Sequence, residues 1–294
     1  MCYDLGMNKD INKEDLVEKL RVYFEGQKNI SFAYLFGSTV SGRLHSESDL
    51  DIGIYFIPMT AELEYESSIE YEGEDKIWLD LERLTGKKTD MVVLNRAPST
   101  LLYSVLHTGQ KIFARDERFL SRLYLAISSA AEDFRDFVKD FIKIRERSHS
   151  LNEIDKERLI RAVSFLSQEI AEFDAFRKVD QFQYQRDISI KRNIERWAEN
   201  IVNVSIDIAK IILASEKMPV PETYRLILEQ LGTIEGFDQK IASSLASFSK
   251  MRNILAHEYL DLRFAQLNKF VLNSELAYKY LVSFTKKLIE DSDK

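Results

Sequence analysis

Two aspartates open an apolar segment of this sequence, where acidic residues are not expected. In LFGSTVSGRLHSESDLDIGIYF (35–56), the pair Gly37-Ser38 is followed ten residues later by Asp49 and Asp51. Aspartate is depleted in strands, and residues two apart in a strand point to the same face of the sheet. Because like charges held that close repel each other, the pattern predicts that a cation lies between the two carboxylates.

The same groups have the chemistry to bind a nucleoside triphosphate with Mg²⁺. A glycine after a strand lets backbone N–H groups approach a phosphate, and a serine hydroxyl adds another donor. Mg²⁺ prefers a few carboxylates plus phosphate oxygens. A third carboxylate is then expected, and Asp90, which opens the apolar run DMVVL, has the required strand context. An isolated Asp-x-Asp more often forms the polar end of a turn, but the Gly-Ser pair at this spacing favours the site.

The segment MRNILAHEYLDL (251–262) contains a second group of polar residues. Helical spacing places Arg252 in an apolar seam, where a buried cation needs a partner, and Asn253 and His257 face each other at i, i+4. Arg252 and His257 diverge by about 140° on a regular helix. To act on one phosphate they need a helix irregularity or a site shared between two copies of the chain. The alternative is a structural Arg–Asn–His cluster that caps the helix.

The elements that must position the first group of residues mix two periodicities. Helical spacing and strand-sized β-branched or aromatic runs alternate up to about residue 115, and Asn12 is a candidate N-cap. The predicted helices are 12–24, 75–84 and 99–109, and the predicted strands are 31–36, 50–56, 89–94 and 111–115. This pattern indicates a small unit with a mixed sheet flanked by helices.

After residue 116 the pattern is helical throughout. Apolar residues recur at spacings of three and four, as in a helical bundle. The predicted helices are 117–146, 194–213, 218–232, 237–256 and 263–291. The fold class is therefore predicted to be α+β, with domain 1–115, a linking helix within 116–152 and an all-α bundle over 153–294.

Composition excludes several classes of protein. The chain has 294 residues, of which 45% are hydrophobic and 30% charged, as in ordinary globular proteins. A single cysteine, Cys2, excludes a disulfide framework and cysteine-based zinc sites. The net charge of −7 does not favour a basic nucleic-acid scaffold. Because no signal peptide and no membrane span are apparent, we expect a cytoplasmic protein.

The first motif carries a family resemblance over about residues 12–115. GSTVSGRLHSESDLD resembles the GSx10DxD signature of the DNA polymerase β-like nucleotidyltransferases, and the compact unit looks like their minimal branch, the MNT proteins. The resemblance implies that Gly37 and Ser38 bind the triphosphate of ATP. It also implies that Asp49, Asp51 and Asp90 form a catalytic triad that binds Mg²⁺. The chain departs from the family at Ser41, where many members have arginine, although Arg43 follows closely.

The second motif resembles another family. RNILAHEY resembles the R-x4-6-H motif of HEPN-domain ribonucleases, and its extended form R-x4-H-x-Y resembles the HepT-like toxins. The resemblance implies a metal-independent, dimeric ribonuclease in which Arg252 stabilises the scissile phosphate, Asn253 orients it and His257 transfers a proton. HepT-like toxins are paired with MNT antitoxins that silence them by transferring AMP to the motif tyrosine, here Tyr259.

The two resemblances together predict a fused MNT–HEPN protein of toxin–antitoxin type. It would be an ATP- and Mg²⁺-dependent adenylyltransferase acting on Tyr259, joined to a ribonuclease with RNA as substrate, and a homodimer through the helical half. One alternative is an antibiotic nucleotidyltransferase of the aminoglycoside type, which shares the α/β unit and helical bundle but does not need R-x4-H-x-Y. The other is a non-catalytic nucleotide-binding module, which the serine at position 41 favours.

Overall fold

A computed structural model describes residues 13–40, 49–59, 63–147, 151–257 and 264–292 of the chain. For Thr39, Asn253, Ala256 and His257 the description covers the backbone only. The chain divides into two compact units, Met1–Ala131 and Glu132–Lys294. A mixed sheet with flanking helices followed by a helical region confirms the predicted α+β class.

The first unit is built on a four-stranded sheet. Its strands are β1 (Ile30–Leu35), β2 (Leu50–Phe56), β3 (Thr89–Val93) and β4 (Gln110–Ala114). The strand order is β3-β2-β1-β4, in which β1 pairs antiparallel with β2 and β4, whereas β2 and β3 are parallel. Each of the four predicted strands is confirmed to within one residue at either end.

Helices cover both faces of this sheet. They are α1 (Lys13–Glu25), α2 (Glu74–Thr85), α3 (Ser99–Thr108) and α4 (Glu117–Arg147), and α4 continues into the second unit. Because side chains alternate along a strand, Ile52 and Ile54 pack with α1 and α2 in one buried cluster. Tyr55, together with Phe32 and Tyr34 of β1, packs with α3 and α4 in the other.

The described part of the second unit is helical. Its helices after α4 are α5 (Glu153–Ala171), α6 (Phe173–Phe176), α7 (Gln181–Arg186), α8 (Ile188–Ser215), α9 (Tyr224–Gln230), α10 (Gln239–Phe248), α11 (Lys250–His257), α12 (Phe264–Asn273) and α13 (Glu275–Asp291). The predicted seam of α8 is confirmed, because every one of its members is buried: Ile194, Trp197, Ile201, Val204, Ile208 and Ile211. In the described residues, no helix combines the length and apolarity needed to cross a bilayer.

Two of the predicted helices are interrupted by a serine. The segment 237–256 divides into α10 and α11 at Ser249, whose N–H and hydroxyl both donate to the Ala246 carbonyl, at 3.2 and 2.8 Å. The segment 263–291 divides into α12 and α13 at the buried Ser274. The prediction of one continuous helix in each segment was therefore wrong. Serine competes with the backbone for hydrogen bonds, which disfavours it inside helices.

A charge network fixes the part of α4 that belongs to the second unit. The Asp140 carboxylate accepts from Arg158 of α5 at 2.7 Å and pairs with Lys210 of α8 at 2.9 Å. Although burial raises the pKa of Asp140, these two cations outweigh it and lower the pKa to about 2. The network holds three helices together and thereby fixes the face of α4 that carries Asp133.

Candidate functional site

The end of β1 brings the Gly-Ser pair against Asp51. Gly37 has a φ of +69°, and a Cβ at this position would overlap the Asp51 carboxylate. This left-handed conformation and this close approach both favour glycine. The Phe36 N–H donates to the Asp51 carbonyl at 3.1 Å, and the Ser38 backbone N–H is hydrogen bonded to the Asp51 carboxylate. The turn after β1 therefore lies directly over the acid of β2.

The parallel register of β2 and β3 brings the other acids together. Asp51 lies opposite Asp90 across the two strands, so both carboxylates lie on the same face of the sheet. Burial raises the pKa of Asp51, and the negative charges of Asp90 and Asp49 raise it further, while the Ser38 N–H opposes them. Three carboxylates thus interact at one end of the sheet.

A lysine partly neutralises this group. The register that pairs Leu50 with Thr89 places Lys88 opposite Asp49, and the Lys88 Nζ lies 3.1 Å from Asp49 Oδ2. The Lys88 side chain is 75% exposed, and exposed pairs are worth only about 0–1 kcal/mol. Lys88 therefore pairs with Asp49 alone, in a pair weak enough to be replaced, and the Mg²⁺ ion expected between the aspartates stays a prediction.

The donor set suits Mg²⁺, which is held in proteins by one or two carboxylates together with waters and substrate phosphates. Asp51 and Asp90 supply hard oxygen donors, and their mutual repulsion is relieved by a divalent cation. Among the described residues, no group of three His, Cys, Asp or Glu side chains is arranged to hold a metal ion by itself. The residues therefore fit a Mg²⁺ ion that shares its coordination with a bound phosphate.

In the second unit, Arg252 of α11 lies between two other helices. Its side chain is only 14% exposed, and Nη2 lies 3.4 Å from Asp133 Oδ2 on α4. The guanidinium carbon lies 4.1 Å from the centre of the Tyr224 ring, which opens α9. Arg252 Nη1 is buried and has no hydrogen-bond partner in the part of the chain that the structure describes. Burial of this arginine is thus supported by one acid and one aromatic ring.

The aromatic side of this arrangement is rigid. Tyr224 is 4% exposed and makes T-shaped contacts with Phe134 and Phe137 of α4, with ring centroids 5.1 and 5.3 Å apart. Edge-to-face aromatic pairs are stabilising beyond the area they bury, and a cation over a tyrosine face gains about 0.5–2 kcal/mol. Tyr224 therefore fixes the position of the guanidinium plane of Arg252.

The other residues of the second motif are placed only in part. Asn253 and His257 lie on α11, which is uninterrupted from Lys250 to His257, so Arg252 and His257 are about 140° apart around one helix axis. Tyr259 lies outside the described residues, as do Ser41 and Arg43 of the first motif. The divergence of Arg252 and His257 favours a site shared between two copies of the chain. The homodimer stays a prediction, and the molar mass from light scattering would test it.

Sequence reasoning missed three neighbours of these sites. Asp133 is 119 residues from Arg252, and Tyr224 comes from a third helix, so no spacing in the sequence connects them. Lys88 could have been predicted from the sequence. It directly precedes β3, and a parallel pairing of β2 with β3 places it opposite Asp49.

Comparisons with known families agree with both resemblances. A family model described as polymerase beta nucleotidyltransferase matches residues 18–118, which include the Gly-Ser pair and the three aspartates. A model described as HepT-like ribonuclease matches residues 166–280, which include Arg252 and Tyr259. No curated protein matches the chain. The predicted combination of a nucleotidyltransferase region with a following HepT-like region is thus confirmed.

Proposed function

We propose that this chain, which joins a nucleotidyltransferase region to a HepT-like ribonuclease region, transfers AMP from ATP to Tyr259 with the help of Mg²⁺. The modification would silence its ribonuclease, so that antitoxin and toxin reside in one chain. The observation that supports the transferase most strongly is the convergence of Gly37, Ser38, Asp51 and Asp90 at one end of the sheet. The convergence combines phosphate-binding N–H groups with the oxygen ligands that Mg²⁺ prefers.

Each residue of this group has a role in nucleotidyl transfer. The Gly37 N–H and the Ser38 hydroxyl bind the triphosphate. Asp49, Asp51 and Asp90 would hold Mg²⁺, which when bound supplies positive charge at the reacting phosphate. Asp90 accepts the proton of the attacking tyrosine hydroxyl. The tyrosine oxygen forms a bond to the α-phosphorus, the bond from that phosphorus to the β-phosphate bridge breaks, and pyrophosphate leaves.

The helical region supplies the acceptor and the activity to be silenced. Arg252 would stabilise the scissile phosphate of RNA, Asn253 would orient it, and His257 would transfer the proton. Tyr259 lies seven residues after Arg252 in the sequence, so an AMP on it would supply a phosphate that competes for the guanidinium. A charge-assisted hydrogen bond between the two groups would exclude RNA. Fusion of the two regions raises the effective concentration of the acceptor if the geometry permits transfer within one chain.

The intact mass of the protein after incubation with ATP and Mg²⁺ tests the proposal. The wild-type chain should gain at least one AMP mass, whereas Tyr259→Phe should gain none and keep its circular dichroism spectrum. Tyr280→Phe is the matched control, since it removes a tyrosine hydroxyl elsewhere in the helical region, and it should be modified like the wild type. Undiminished modification of Tyr259→Phe would refute the assignment of the acceptor.

A further inference from the structure

Three aromatic side chains of the first unit lie nearly parallel to one another. Tyr103 and His107 of α3 have ring centroids 5.2 Å apart at an interplanar angle of 11°. Tyr124 of α4 lies 6.0 Å from Tyr103 at 29° and 6.5 Å from His107 at 22°. His107 Nδ1 and the Tyr124 hydroxyl are 2.9 Å apart, within hydrogen-bond distance. These three residues, called here the tyrosine–histidine surface, are fixed relative to one another before any ligand binds.

The surface is anchored on one side and open on the other. Tyr103 and Tyr124 are half-buried and pack against the buried cluster between the sheet and helices α3 and α4, whereas His107 is exposed. Flat, parallel rings with one open side are suited to stacking with another planar group. Because the rings are already ordered, a ligand that stacks on them loses little additional conformational freedom of the protein.

The tyrosine–histidine surface and the acidic group lie on the same face of the sheet. Side chains alternate along a strand, so Asp51 shares its face with Tyr55, which packs with α3 and α4. Val92 packs against the same cluster, and Asp90, two residues earlier on β3, therefore points the same way. The carboxylates are thus on the side of the sheet that carries the three rings.

The surface and the acids also lie at the same end of the sheet. Leu35 at the end of β1 pairs with Gln110 at the start of β4, and a Cβ on Gly109 would lie 2.9 Å from the Leu35 carbonyl oxygen. Gly109 follows directly after α3, two residues beyond His107. Gly37 is two residues beyond Leu35, at most about 7 Å along an extended chain. The end of α3, which carries His107, therefore lies at the same end of the sheet as Gly37, and His107 is in turn stacked with Tyr103 and Tyr124.

From this placement we propose that Tyr103, His107 and Tyr124 form a stacking site for the nucleobase of the nucleoside triphosphate bound at Gly37 and Asp51. The proposal rests on the nucleotide site of the proposed function and adds the part of that site that recognises the base. Aromatic stacking suits any base, since every base has a π-face. The surface therefore strengthens the binding of nucleotides over that of inorganic polyphosphates.

Two other roles would give different results in the same experiment. The three rings could serve only to fasten α3 to α4, in which case their loss would lower stability and leave ligand discrimination unchanged. They could also stack on single-stranded RNA, in which case their loss would weaken RNA binding and not ATP binding. Both results would overturn the proposal.

The test compares the binding of Mg²⁺–ATP and Mg²⁺–tripolyphosphate to the full chain by calorimetry. In Tyr103→Leu we expect the dissociation constant for ATP to rise about 5- to 150-fold, the range of one stacked base, while that for tripolyphosphate stays within about twofold. His107→Leu, at an exposed position, should also raise the dissociation constant for ATP. It replaces Tyr103→Leu in the test if that variant does not fold. An oligoribonucleotide is titrated in parallel to detect the RNA alternative.

A matched control lies on the opposite face of the sheet. Tyr23 of α1 is also a half-buried tyrosine between two helices, with its hydroxyl 3.2 Å from Asp80 of α2, and Tyr23→Leu should leave both dissociation constants unchanged. Equal weakening of ATP and tripolyphosphate in Tyr103→Leu, or no weakening of either, would refute the stacking site alone. A wild-type chain that binds neither ligand would instead refute the nucleotide site, and the stacking site with it.

Discussion

The two polar clusters of this chain deal with charge in opposite ways. At the end of the sheet, Asp49, Asp51 and Asp90 gather like charges, and only Asp49 has a cation from a described side chain close to it. In the helical unit, the charge of Arg252 is matched by Asp133 and by the face of Tyr224. The first cluster is electrostatically unfavourable as it stands, and the second is already paired.

This difference determines what each cluster needs in order to act. The acidic group gains stability when a cation binds, as expected of a site for a metal and a phosphate. Under the proposed function, a substrate phosphate that binds Arg252 competes with Asp133, which already lies next to the guanidinium. The Asp133 side chain is 45% exposed, so water and salt screen this pair. The free-energy cost of replacing Asp133 with a phosphate is therefore small.

The largest effect should come from neutralising the acidic group. We expect Asp49→Asn with Asp51→Asn to lower AMP transfer by at least about 1000-fold, since removal of groups that stabilise transition-state charge costs about 10²–10³ each. Because the substitution also removes repulsion, the midpoint of thermal unfolding should stay the same or rise. Intact-mass kinetics and calorimetry measure the two quantities.

A control changes the charge equally at exposed acids of the same unit. Glu72→Gln with Asp75→Asn removes two exposed carboxylates and should leave transfer within about twofold of the wild type. Full transfer by the double aspartate variant would show that the acidic group is not catalytic. A clearly lower unfolding temperature would show that its charges do not repel each other in the folded protein, and the contrast between the clusters would then fail.

The next effect concerns the turn over Asp51. In Gly37→Ala the added Cβ meets the Asp51 carboxylate, and the φ of +69° becomes strained. We expect a loss of about 1–3 kcal/mol in unfolding free energy, the cost of a strained backbone position. Displacement of a reacting group by about 1 Å costs roughly 100-fold in rate, so transfer should fall by about that factor. Gly73→Ala, with a φ of +86° but open space around its Cβ, is the control, which should show the strain alone.

The sequence predicted more of the acidic group than of the arginine cluster, because the two clusters are built from different elements. Asp51 and Asp90 lie on adjacent strands and Asp49 directly precedes β2, and the alternation of side chains along a strand predicted a common face for Asp49 and Asp51. Asp90 was found because it opens the next apolar run, and the register then placed it opposite Asp51. The spacing of the Gly-Ser and Asp-x-Asp motif is informative because β1 and β2 are both consecutive in the sequence and adjacent in the sheet.

The arginine cluster could be predicted only on its own helix. Periodicity placed Arg252 in a seam and indicated that it needs a partner, but it cannot show which helix lies opposite. Asp133 and Tyr224 come from α4 and α9, and their contact with α11 depends on the packing of the whole unit. The interruption at Ser249 was missed for a different reason, because the helical spacing of apolar residues continues across this one serine.

The smallest effect, and the one that most sharpens the comparison, should come from Asp133→Asn. The Asp133 side chain is 45% exposed and its pair with Arg252 is long, at 3.4 Å, so its loss should change the unfolding free energy by only about 1 kcal/mol. The substitution removes the anion that competes with a substrate phosphate. We therefore expect single-stranded RNA to bind up to about fivefold more tightly, the equivalent of the same 1 kcal/mol, as measured by fluorescence anisotropy.

Asp136→Asn separates this local effect from a general loss of negative charge. Asp136 lies on the same helix and pairs with the exposed Lys139 at 2.8 Å, so its substitution changes the net charge equally without touching Arg252. The gain in RNA affinity should therefore be larger in Asp133→Asn than in Asp136→Asn, and the difference should shrink at high salt as the pair is screened. If Asp133→Asn instead weakened RNA binding tenfold, the acid would hold Arg252 in its working position. The arginine cluster would then depend on its internal anion as strictly as the acidic group depends on an external cation.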